Sequence, residues 1–144
     1  MSKKVLFFLL LSVMLVALAA CGGGNSGGNN AGGGEEAEAI GDAANGERLF
    51  TAATIGANNA PGCITCHSLE PDVVIVGPSQ YGLETRAETR VPGMSAEEYI
   101  RQSIVDPNAY IVEGFTEGVM YQNYGQDLTE DQINDLVAYT LTLR

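Results

Sequence analysis

Apolar residues recur at helical spacing in three stretches of the chain. The first runs from about Asp42 to Ala53, with Gly46, Leu49, Phe50 and Ala53 on one face and Asp42 placed to cap the N-terminus. The second follows Gly93: Ser95 and Glu98 make a capping box, Ala96, Tyr99, Ile100 and Ile104 line one face, and Pro107 enforces a stop. The third extends from Thr129 to the end, capped by Thr129 with Gln132 in the reciprocal position, and its stripe is Ile133, Leu136, Val137, Thr140 and Leu143. The run Val73-Val74-Ile75-Val76 has the composition of a buried strand, yet no second run offers it a partner, so it is expected as an extended segment. Glycines and prolines punctuate the remainder, which reads as loops.

A different pattern precedes these elements. Val5 to Leu18 is almost wholly apolar, follows Lys3 and Lys4, and gives way to Ala19 and Ala20 before Cys21. The run falls short of the roughly 20 residues that span a bilayer, so residues 1–20 read as a cleaved export leader. The segment Leu18-Ala19-Ala20-Cys21 resembles the lipobox of bacterial lipoproteins, which implies a mature chain that begins at a lipidated Cys21. From Gly22 to Gly34 only Gly, Asn, Ser and Ala occur, followed by Glu35, Glu36 and Glu38, so residues 21–40 are expected as a flexible tether. Residues 41–144 then form one small domain, held to a membrane on the periplasmic or extracytoplasmic side.

The formal charge is −11, and loss of Lys3 and Lys4 with the leader takes it to −13, because no acidic residue precedes Glu35. Such a surface disfavours nucleic acid and anionic lipid and suits a partner that presents basic residues.

The chemistry is concentrated in Cys63-Ile64-Thr65-Cys66-His67, which contains the only histidine. C-x-x-C-H is the attachment signature of c-type haem: Cys63 and Cys66 bond the two vinyl groups, and His67 turns its imidazole onto the iron. A structural zinc site needs four N/S ligands, and outside this cluster only Cys21 is left. A thioredoxin-like motif should follow a hydrophobic strand, whereas Gly56-Ala57-Asn58-Asn59-Ala60-Pro61-Gly62 comes first. A plain disulfide leaves the adjacent histidine unexplained. One motif and no internal repeat imply one haem, whose apolar surface would complete a thin three-helix core, with Val73 to Val76 along an edge of the ring. With no second histidine, methionine is the leading sixth ligand. Past the leader the choices are Met94, beside the second helix, and Met120, in the long loop before the last one; Met120 is favoured.

From Gly41 to Arg144 the sequence resembles the class I cytochromes c, through Gly46 with Phe50, Cys63-Ile64-Thr65-Cys66-His67, Gly77-Pro78 with Gly82-Leu83, then Met120, and Leu136 with Tyr139. The resemblance implies an all-α fold of three main helices with loops wrapped around one covalent haem, and first and last helices in close contact through the glycine and the aromatics. It implies that Pro78 offers its carbonyl to the second ring nitrogen of His67, and that the sulfur of Met120 ligates iron. Gln80 stands where many members carry leucine, and Tyr121 where proline is common. Tryptophan is absent, so a propionate that some relatives bind with an indole needs another donor, with Arg86, Arg90 and Tyr110 as candidates. The stretch Ser95 to Phe115 is similar to small cytochrome c subunits of bacterial respiratory chains, best to a lipid-anchored monohaem subunit of alternative complex III.

The expected function is therefore single-electron transfer in a respiratory or photosynthetic chain, as a tethered partner of a quinol-oxidising membrane assembly, with no substrate transformed by the chain itself. Two other readings stay open: an open-site haem enzyme with peroxidase or gas-binding chemistry, and a scaffold subunit whose haem is structural.

Overall fold

The computed structural model describes residues 40–144; the expected leader, Cys21 and the tether up to residue 39 lie outside the described residues. Five α-helices carry the domain: α1 (Ala43–Thr51), α2 (Leu83–Arg90), α3 (Ala96–Val105), α4 (Tyr124–Asp127) and α5 (Glu130–Thr140). The three expected helices are α1, α3 and α5. Their caps form as the sequence dictates: Asp42 accepts from the amides of Ala44 and Asn45, and Ser95/Glu98 and Thr129/Gln132 close complete capping boxes.

The boundaries differ at two ends. Helix α1 stops at Thr51 because Ala52 turns extended and leads into β1 (Thr54–Ile55), which pairs antiparallel with β2 (Ala60–Pro61). Helix α5 stops at Thr140, leaving Leu143 only partly buried. Two helices form where loops were expected. Helix α2 buries a single side chain, Ala87, and begins at Gly82 with φ 65°, without a side-chain cap. Helix α4 spans only one turn.

The core sits where α1 crosses α5. Phe50, Ile133, Leu136 and Val137 are almost fully buried there, each stabilising the fold by about 1.5–3 kcal/mol relative to exposure. The rings of Phe50 and Tyr139 meet at 5.4 Å with an interplanar angle of 59°. Close approach depends on Gly46, since a Cβ there would lie 1.9 Å from the Asp135 carbonyl oxygen. A buried carboxylate secures the same junction: Asp135 accepts from the Asp42 amide at 2.6 Å and from the Asn45 side chain. Helix α3 packs against both α2 and α5 and supplies Tyr99, Ile100 and Ile104 to the core.

Within the run Val73 to Val76, expected as extended, Val74 makes one isolated antiparallel bridge to His67, and the chain then bends from Ile75 through Gly77. All four side chains are exposed.

Candidate haem site

A cavity of about 530 Å³ opens beside the helical core. That volume falls within the range of pockets that enclose small ligands and cofactors, roughly 300–1,000 Å³. Cys63, Cys66, His67, Pro78 and Met120 all line it, whereas Met94 does not.

The motif is held by short-range geometry. Cys63–Thr65 forms a single 3-10 turn, in which the amides of Cys66 and His67 donate to the Cys63 carbonyl at 3.1 and 2.9 Å. The Cys66 carbonyl in turn accepts from the amides of Val76 and Gly77, at 3.1 and 2.9 Å, which fastens this bent segment to the motif. Val74 and Val76 line the cavity, while Val73 and Ile75 take no part in it.

Cys63 and Cys66 are free thiols. Burial, reinforced by the neighbouring Cys66, pushes the Cys63 thiol up to about 12. Among the described residues no group of three or more His, Cys, Asp and Glu is placed to hold a metal ion.

His67 is poised as a neutral imidazole. Burial lowers its pKa, and its contact with the Pro78 carbonyl opposes that shift without being the larger effect. Nδ1 lies 2.8 Å from that carbonyl, which assigns the proton to Nδ1 and leaves the Nε2 lone pair for a metal. Gly77 makes this ring position possible, since a Cβ there would lie 2.4 Å from Cε1. Gln80 adds a feature the sequence did not announce. Its Nε2 lies 3.2 Å from the Pro78 carbonyl and 2.9 Å from Nδ1, so two donors converge on one oxygen, which has two lone pairs to accept them.

The loop carrying Met120 is tied down just beyond the methionine. The Tyr121 hydroxyl donates to Asp127 at 2.5 Å, and Asn58, in the turn between β1 and β2, donates to the same carboxylate at 2.5 Å. These two donors hold the Asp127 carboxyl below its ordinary value. The Tyr124 hydroxyl donates to the Pro61 carbonyl at 2.6 Å, and burial raises its pKa. Sequence spacing carried no signal for the Asn58 contact, because its partner is 69 residues away.

The donor set, the apolar lining and the cavity size all fit haem c: two thiols, an imidazole with a free Nε2 and a thioether face one space. Comparison with family profiles matches residues 43–144 to cytochrome c. Neither the comparison with curated proteins nor that with solved structures gives a match. With its all-α fold and its C-x-x-C-H cavity, the chain belongs to the cytochrome c family, whose members transfer electrons through covalently bound haem c.

Proposed function

We propose that this protein is a tethered single-electron carrier in a respiratory or photosynthetic chain. In this reading Cys63 and Cys66 would hold the macrocycle by thioether bonds, His67 and Met120 would ligate its iron, and lipidated Cys21 would anchor residues 41–144 on the extracytoplasmic face of a membrane. The observation that carries it is the gathering of the C-x-x-C-H side chains and Met120, but not Met94, around one cavity.

Bound haem c supplies a one-electron Fe(III)/Fe(II) couple. The chain's own residues shape it. Pro78 fixes the tautomer of His67 and raises its basicity through the Nδ1 hydrogen bond. A thioether from Met120 would complete the ligand set, closing the iron to substrates and raising the potential relative to a bis-histidine centre. The acidic surface suits a basic docking face on a quinol-oxidising assembly of the alternative complex III type, or on an oxidase or soluble acceptor.

Met120→Ala should abolish the weak sulfur-to-iron absorption at the red end of the spectrum, and Met94→Ala should leave it intact; the reverse pattern overturns the assignment. Rapid binding of carbon monoxide by the native reduced protein, or of cyanide by the oxidised one, would instead favour an open-site enzyme. Cys21→Ala should release the protein from membranes into the soluble fraction.

A further inference from the structure

Met120 stands in a stretch that the backbone leaves unsupported. The Phe115 amide closes a turn onto the Val112 carbonyl at 3.0 Å, and the next backbone-to-backbone bond is made by the Asn123 carbonyl; among the described residues none involves Thr116 to Gln122. Gly114 and Gly118 hold φ of 88° and 76° in open space. Such a loop has nothing in its own backbone to fix where a methionine points.

Three side-chain bonds supply what is missing, and they run in one chain. The Gly118 amide donates to Asn108 Oδ1 at 2.9 Å, Asn108 Nδ2 donates to Gln122 Oε1 at 2.6 Å, and Gln122 Nε2 donates to the Met120 carbonyl at 2.6 Å. A backbone donor at one end and a backbone acceptor at the other fix the orientation of both side-chain amides, since flipping either sets donor against donor or acceptor against acceptor. Gly118 lies two residues before Met120 and Gln122 two after, so one asparagine grips both flanks of the methionine. Its own base is firm. Asn108 follows Pro107, which is buried against the cavity just past α3, and the Ala109 amide closes a turn onto the Asp106 carbonyl at 3.0 Å.

We infer that Asn108 is the positioning residue for Met120: its side chain closes the neck of the loop from Ala109 to Gln122 and so keeps Met120 on the cavity wall. The inference rests on the reading of Met120 as an iron ligand. An aspartate at this place would accept from Gly118 but could not donate to Gln122, so the chain of bonds calls for an amide. The clasp of Tyr121 and Asn58 on Asp127 holds only the chain beyond the methionine, whereas Asn108 holds it on both sides.

The test uses mature holoprotein. Asn108→Ala should weaken the sulfur-to-iron band and speed cyanide binding by the oxidised protein about tenfold, because the methionine must leave before the anion enters and two hydrogen bonds no longer oppose that opening. Asn108→Asp, which keeps the acceptor for Gly118, should recover the band in part and give an intermediate rate. Gln122→Ala should act like Asn108→Ala, and the double variant should be little worse than either, because the bonds act as one chain. Loss of stability alone, with band and rate at wild-type values, marks a merely structural asparagine and overturns the inference; so do effects that multiply in the double variant. In wild type the exposed Gly118 amide should exchange slowly with solvent. Exchange at the rate of an unbonded amide also overturns the inference, and this measurement decides if the variants fail to accumulate. A band that survives Met120→Ala sinks the ligand reading and this inference with it, whereas a band lost there but intact in Asn108→Ala sinks the inference alone.

Discussion

Where α1 crosses α5, every close contact is supplied by protein: Gly46 meets the Asp135 backbone, Phe50 meets Tyr139, and the Asp135 carboxylate is doubly satisfied. Along the cavity wall the reverse holds. Val74 is 60% and Val119 54% exposed, and Arg90 keeps a buried donor without an acceptor. The first region is complete as a polypeptide, and the second turns apolar side chains toward the haem cavity. A single small domain can therefore be well packed on one side and dependent on its cofactor on the other.

That contrast breaks most sharply at Gly46. Gly46→Ala should destabilise the holoprotein by about 3 kcal/mol, the upper end of ordinary overpacking, because the obstructing atom is backbone. The measurement is the denaturant midpoint, and a cost below about 1 kcal/mol would mean the crossing has slack.

A second probe tests the wall through acid. Tyr121 and Asn58 hold the Asp127 carboxyl below its usual value, so the stability it contributes is fully present above the unfolded value, about 3.9, and is lost as pH falls through the lower folded one. Tyr121→Phe should move that loss to higher pH, read as the acid dependence of the thermal midpoint and of the Met120 absorption band. The same bond raises the Tyr121 hydroxyl, so its share of stability is present below about pH 10 and disappears as pH rises through its folded value. An acid limb unchanged by the substitution would detach this network from the methionine loop.

The finest adjustment lies at Gln80. Gln80→Leu leaves His67 as the sole donor from these two side chains to the Pro78 carbonyl, which strengthens that bond and makes the imidazole more electron-rich. The midpoint should fall, by less than the ~59 mV that marks a tenfold change in a one-electron couple. A rise would show that the glutamine supports the histidine rather than competing with it.

The helices of the well-packed side were legible because each carries both a cap and a stripe. Ser95 with Glu98, and Thr129 with Gln132, mark their starts within four residues of sequence. Helix α2 lacked both signals: six of the eight residues in Leu83–Arg90 are polar, its one buried side chain is Ala87, and a glycine opens it. Its sequence of good helix formers was the remaining clue. In the site, the C-x-x-C-H spacing is itself the chemistry, so it reads directly. The Asn58 contact to Asp127 joins residues 69 apart, which no local pattern records, whereas Tyr121 lies six residues from Asp127 and Gln80 two from Pro78, so those contacts depend on how a short loop turns its side chains. The single bridge from Val74 to His67 likewise closes a short loop that carries no hairpin signal.

The placement of Val73 to Val76 has an outcome in the test tube. Val74 and Val76 line the cavity, but Val73 and Ile75 do not and are exposed, although the Val73 and Val76 amides are already spent on the Glu70 and Cys66 carbonyls. Those two side chains offer a small apolar contact to a second copy, and the acidic surface opposes its approach. Colloidal behaviour should therefore track ionic strength: in dilute buffer the protein stays monodisperse, and light scattering grows as added salt screens the repulsion.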